Sequence, residues 1–526
     1  MDRGADRGAG RPERSGPAGT PELETILGQL DLAVDPVAES AAMSPAIGIA
    51  VAGGPMVTLP ADDAPHLASR RSETLVDGVR AAGPVAVAGL VVNAASVVVV
   101  VVVARMVTAR QYGVIAQLLG LFFILSMPGS ALQVGVVRKV ADWARTGRPD
   151  GVRPWAARWH RIGLAGLALL AGSVALLQHR IAAALSLPDS SGVVAILTAA
   201  GVWILLCVDR GLLQARRTYG TLAANLVVEG GVRTVAVVGL VAAGAGVEGY
   251  ALGVLAGEVL AWLHARWAVA TGRGADPARV GAVEPAAGPA ASGPASGGTR
   301  LWADVSAAFV GLALLALLQN MDVIVLGREA PGASGAYAAV SVSSKALVFG
   351  ALALASYLLP EATIRWNEGG HAVRQLGVTL VFVMVPAVVL LGIALVAPRS
   401  FLSLFFSHAY VDAAPAFVWL VASMVFLCVT VLLTNYLFGA GRRWIVAPLA
   451  AGSLAGVAMV WAAHGDPVAT ARADLVVQAT LACCMVLAFA VVHHREERIP
   501  LRRWLHLAGS APIGLAGRRA TRSHPG

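Results

Sequence analysis

Between Val79 and His493 the chain is a near-continuous series of apolar runs, most of them close to the roughly 20 residues that an α-helix needs to cross a bilayer. Spans are expected near residues 82–104, 113–136, 162–178, 192–208, 220–244, 249–267, 304–326, 336–359, 375–397, 413–438, 444–463 and 473–493, twelve in all. The stretch from Gln178 to Pro188 either extends the third or the fourth span or forms a short interfacial helix. Only 13% of the 526 residues are charged, about half the share in soluble domains, and mean hydropathy is +0.71. So few charges cannot cover a water-exposed globule of this size, which excludes most soluble enzymes and nucleic-acid binders despite the formal charge of +9.

The 40 basic residues test the span count. With the N-terminus inside, 32 fall on the cytoplasmic side and six outside: Arg105, Arg110, Arg180, Arg328, Arg399 and Arg472. Arg233 and Lys345 lie within spans. Such a split is what the positive-inside rule demands, and it places both termini in the cytoplasm.

Five segments follow. Residues 1–78, rich in Gly, Ala, Pro and Arg, read as a disordered cytoplasmic tail. Residues 79–270 hold six helices, 271–300 have the Gly/Pro/Ala/Ser composition of a flexible cytoplasmic linker, 301–493 hold six more, and 494–526 form a basic cytoplasmic tail. The expected fold is therefore an all-α polytopic membrane protein, about twelve transmembrane helices in two six-helix lobes. The first helices of each half look alike: Tyr112-Gly113 and Arg138 bracket the second span, Tyr337-Ala338 and Arg365 the eighth. Lobes related by an axis along the membrane normal are a transporter arrangement.

Ionisable side chains within spans are costly in hydrocarbon, so each is a candidate functional residue. Glu229 and Arg233 are four apart on the fifth helix, which puts both on one face. Either they form a polar cavity wall in which Arg233 meets an anionic ligand, or they neutralise each other between helices. Glu258 and Lys345 lie near mid-depth, one in each half; Glu258 can pair with Lys345 across the lobes or with Arg233. Asp322, two residues after Asn320, is a coupling-ion candidate or an interfacial aspartate. Asp209 and Arg210 are an interfacial pair that could gate. Asn93 is a polar cavity contact or a helix–helix hydrogen bond. Pro128 and Pro360 interrupt the second and eighth spans, where a bend would suit a rocking element. Four cysteines, Cys207, Cys428, Cys483 and Cys484, lie in apolar stretches and are expected to be buried and inert. Neither a catalytic motif nor a metal-ligand spacing occurs, so no enzyme activity or cofactor is expected.

Ala104-Arg105, Gln111-Tyr112-Gly113 and Arg138, with Asn320-x-Asp322, Gly335-x-Tyr337, Lys345 and Leu359-Pro360 in the second half, resemble the polysaccharide repeat-unit flippases of the multidrug/oligosaccharidyl-lipid/polysaccharide exporter superfamily, over about residues 80–493. The long N-terminal tail and extended linker depart from that pattern. The resemblance implies a V-shaped pair of lobes that alternates between inward- and outward-facing states and moves an undecaprenyl-diphosphate-linked oligosaccharide across the cytoplasmic membrane. Its partners would be that lipid-linked sugar, membrane lipids and other polysaccharide-assembly proteins, with no nucleic acid. Arg233 and Lys345, one per lobe, would meet the diphosphate. The alternatives are a cation-coupled multidrug exporter of the same superfamily, for which Glu229 and Glu258 speak, a lipid-linked peptidoglycan precursor flippase, which would need two helices beyond the twelve expected, and a membrane scaffold for polysaccharide assembly that does not transport.

Overall fold

A computed structural model describes residues 84–85, 87–89, 91–147, 149–272, 297–367, 373–439 and 442–509. The expected N-terminal tail, nearly all of the linker, and residues 510–526 lie outside the described residues. Among those described, the elements are helices and helical turns without a strand. They are α1 (Val87–Met106), α2 (Ala109–Ala144), α3 (Val152–Ala184), α4 (Val193–Ala215), α5 (Tyr219–Leu240), α6 (Gly246–Thr271), α7 (Gly297–Glu329), α8 (Ser334–Asn367), α9 (Val373–Val396), α10 (Ala414–Gly439), α11 (Val446–Trp461) and α12 (Pro467–Gly509). A short helix, Pro398–Phe405, follows α9.

Among the described residues, ten helical stretches are long and apolar enough to cross a membrane. One of them, Tyr219–Thr271, has 53 residues, about 80 Å at 1.5 Å per residue, far beyond one crossing. It reverses at Gly244 and Gly246, whose φ angles of 89° and 50° belong to a turn, and so contributes two passes, α5 and α6. With α8 the passes number twelve, as the sequence predicts. The stretch from Gln178 extends α3 to Ala184. At the ends, α7 begins inside the expected linker and α12 runs on past His493 to Gly509, so the basic tail starts as helix.

Why helix prevails is clearest in α1, where seven consecutive valines, Val97 to Val103, would favour a strand in water. In hydrocarbon an unpaired backbone group costs several kcal/mol, and a helix satisfies every one internally. That cost exceeds the sub-kcal propensity of each valine. In α2 the segments Ala109–Ser126 and Gly129–Arg145 meet at Met127-Pro128, both with helical backbone angles. Helix α8 continues past Pro360 to Asn367, with the Pro360 side chain itself outside the described residues.

Glycines set the closest approaches. Along α6, Gly249, Gly253 and Gly257 repeat every four residues and face Leu240, Val237 and Arg233 of α5 in that order, so the two helices run antiparallel. A Cβ on Gly253 would lie 2.5 Å from the Val237 backbone nitrogen. This small-residue stripe brings two acid-bearing helices backbone to backbone. Between the lobes, Gly113 of α2 abuts Ser334 and Gly335 at the start of α8, and a Cβ on Gly335 would run into the Ala109 carbonyl. The glycines beside Tyr112 and Tyr337 thus let the paired helices of the two lobes meet.

The interior divides into a C-lobe core built on Leu312, Tyr337, Phe417 and Leu420, and an N-lobe core around Ile115, Leu118, Ile196 and Val254. Helix α2 belongs to both. Its Tyr112, Ala116, Met127 and Ala131 are part of the first, while Val114, Ile115, Leu118 and Phe122 are part of the second.

Candidate functional site

On α5, Asn225, Glu229 and Arg233 recur every four residues and form a polar ladder about 12 Å long. Glu229 is held from both sides: Oε1 is 3.0 Å from Arg233 Nη1 and Oε2 is 2.5 Å from Arg210 Nη2 of α4. Arg210 also donates through Nε to Asn225 Oδ1 at 2.7 Å and lies 5.3 Å over the Trp203 ring. Asn225 passes the network to α6 by donating to the Ala261 carbonyl at 2.7 Å. Arg233 reaches Glu258 of α6 at 3.6 Å and donates to Ser96 Oγ of α1 at 3.2 Å. At one end, Asp209 sits 2.9 Å from His160 Nε2 of α3 and 3.7 Å from Arg266 of α6.

Three carboxylates therefore meet three guanidiniums on α4–α6, with Ser96 of α1 and His160 of α3 joined to them. Arg210, Glu229, Asp209 and Glu258 are buried, whereas the Arg233 side chain keeps 22% exposure. Neither Glu258 oxygen has a hydrogen-bond partner; Arg233 balances it by proximity alone. A guanidinium carries five donors, so Arg233 can take a further acceptor without releasing Glu229.

The C-lobe is built differently. Lys345 of α8 donates to Asp322 Oδ1 of α7 at 3.1 Å, and Ser341 donates to the other oxygen at 2.9 Å. Asp474 of α12 lies within electrostatic range of both. It accepts from Ser423 Oγ of α10 at 2.6 Å and from Gln478 Nε2 at 3.4 Å. Two buried carboxylates here lie near one buried ammonium, which contacts Asp322.

Several expectations need correction. Asp209 and Arg210 are both buried and are not each other's partners: Asp209 pairs with His160 and Arg266, Arg210 with Glu229. Lys345 pairs within its own lobe, with Asp322, so Glu258 does not reach it across the lobes. Asp322 is likewise buried, and Asn320 turns back to the Ala316 carbonyl of its own helix at 2.8 Å. Asn93 is exposed, one turn before Ser96. Cys207 and Cys428 are buried but Cys483 and Cys484 are exposed. The sequence reading missed Asp474, though Asp474 and Gln478 four residues apart on an apolar helix signal it. It also missed His160, which falls in a segment read as loop but lies on α3. No group of three or more metal-ligating side chains occurs among the described residues.

No family model matches the chain, and no curated protein sequence does either. Solved structures do. One, an inward-facing multidrug resistance MATE family transporter of the MOP superfamily, superposes with a TM-score of 0.59 at 12% identity over 76% of this chain and 95% of that one. The lipid II flippase MurJ, in an inward closed conformation, gives 0.54 at 10% identity over 77% and 87%. A Pyrococcus furiosus MOP superfamily transporter, described as having a binding pocket of reverse polarity, gives 0.50 at 15% over 76% and 91%. At these identities the likeness is one of architecture: this chain has the twelve-helix, two-lobe membrane fold of MOP superfamily transporters.

Proposed function

We propose that the chain is an alternating-access flippase. It moves an undecaprenyl-diphosphate-linked oligosaccharide from the inner to the outer leaflet of the cytoplasmic membrane for cell-surface polysaccharide assembly, with both termini cytoplasmic. Carrying the reading is Arg233, a guanidinium set by Glu229, Glu258 and Ser96 inside a membrane lobe and still partly exposed. A diphosphate cannot enter hydrocarbon unaided, and a planar fork of donors suits it. Lys345 is the C-lobe cation in the same role and Asp322 the coupling carboxylate; each must first release the other. Lipid-linked cargo also matches what the flippase among the structural relatives carries.

A second reading, cation-coupled multidrug export, has its own observation in the two C-lobe carboxylates beside one ammonium, which favour a cation. Purified protein in liposomes separates the two. It should speed the outward movement of a labelled undecaprenyl-diphosphate glycolipid and leave a fluorescent organic cation unmoved. Folded protein that does not outpace empty vesicles with the glycolipid overturns the proposal, and accumulation of the cation puts the exporter in its place.

A further inference from the structure

The penultimate residues of α1 and α7, the first helices of the two lobes, are both arginines: Arg105 before Met106 and Arg328 before Glu329. Each crosses to the other lobe and ends on the same kind of target. Arg105 donates through Nε to the Phe405 carbonyl at 3.1 Å and through Nη2 to the Leu404 carbonyl, the last residues of the short helix Pro398–Phe405. Arg328 donates through Nη1 at 2.9 Å to the carbonyl of Ala184, the last residue of α3. The final carbonyls of a helix have no partner within it and carry the negative end of its dipole, so they are natural acceptors for a cation. α3 is the third helix of its lobe, and the short helix follows directly on the third helix of the other, so both donors and acceptors obey the same twofold relation.

Around these contacts the lobes are tied further. Tyr410 Oη donates to the Ala104 carbonyl at 2.7 Å, and Tyr112 meets Phe406 and Tyr410 edge-on at 6.2 and 5.5 Å. Within its own lobe, Arg328 lies 4.8 Å over the Trp461 ring and 3.8 Å from Glu329. All of these sit at the end of the bundle that the charge distribution puts outside.

We propose that Arg105 and Arg328 are a reciprocal latch: each lobe caps a helix end of the other, and the outer side of the bundle opens only when both guanidiniums let go. The latch sets the ratio of outer-closed to outer-open protein. Arg105, with two carbonyls across the lobes against one for Arg328, contributes more. This inference rests on the alternating-access reading but not on the identity of the cargo.

The test uses full-length protein in lipid nanodiscs with Cys483 and Cys484 changed to serine, leaving only the buried Cys207 and Cys428. Spin labels at Pro188→Cys and Ser400→Cys, exposed sites in opposite lobes near the latch, report the separation of the lobes by pulsed electron resonance. Arg105→Gln should raise the open-to-closed ratio about tenfold, as expected for losing a charge-assisted hydrogen-bonded group. Arg328→Gln should raise it about threefold, and the double variant by about the product. Arg399→Gln, a neighbouring exposed arginine, should leave the ratio alone. Should Arg105→Gln fail to fold, Arg105→Lys keeps the charge with a compact donor and should give a smaller rise. Distances in both single variants and the double that match the parent overturn the latch. Because the labels report opening without any cargo, a failed glycolipid assay beside shifted distances would count against the substrate and not the latch.

Discussion

The two lobes share a fold and differ in where they keep their charge. In the N-lobe the ionic groups lie on α3–α6 and balance, three acids to three guanidiniums, with His160 and Asn225 stitched between them. In the C-lobe they lie on α7, α8 and α12, two acids to one ammonium, with serine and glutamine supplying the remaining bonds. A repeat preserved as a backbone arrangement has thus been given two unrelated electrostatic interiors. Neutral and highly connected, the N-lobe web suits an arginine that must stay in place while it meets a ligand; the C-lobe, one positive charge short, suits a site that gains and loses a cation.

That contrast can be broken by mutation, most forcefully at Glu229. Glu229→Ala leaves the buried Arg210 and the partly exposed Arg233 without their shared carboxylate and should cost about 3–5 kcal/mol of stability, read from unfolding in detergent micelles. A loss under about 1 kcal/mol would mean that the N-lobe web is not held by charge pairing. Next, Asp322→Asn strands the Lys345 ammonium and should cost about 3 kcal/mol, while adding Lys345→Met should restore stability to within about 1 kcal/mol of the parent. A double variant no better than the single one would show that the ammonium is balanced elsewhere. Asp474→Asn keeps an acceptor for Ser423 and removes one of two acids near a single ammonium, so a change of about 1 kcal/mol or less is expected. If it instead costs as much as Asp322→Asn, the C-lobe is not short of positive charge and the contrast fails. Smallest of all, replacing Cys483 and Cys484 by serine should shift stability by no more than about 0.5 kcal/mol, since both are exposed; a larger change would place them in a protein contact.

The sequence made much of the fold legible because hydrocarbon imposes one rule on every span. Seven valines in a row become helix, and a 53-residue apolar stretch must turn back on itself. Polar partners were harder to read. Glu229 and Arg233 share a helix face, so their pairing follows from spacing, and Glu258 beside Arg233 was among the options. Arg210 with Glu229, and Lys345 with Asp322, depend on which helices pack together, and no spacing along one helix encodes that. Asp474 went unnoticed because it opens its span, where an acid looks like the edge of a loop. The roles of Gly113 and Gly335 were also hidden: the repeat around Tyr112 and Tyr337 is visible, but only packing shows it as the point where the lobes touch.

Because α2 lends one face to each core, the two halves should hold together without the peptide connection between them. Two polypeptides divided within residues 273–296 and produced together should find each other in the membrane and be recovered as one particle. Covalent continuity would then serve to keep the halves equal in number, with recognition left to a single helix that both must embrace.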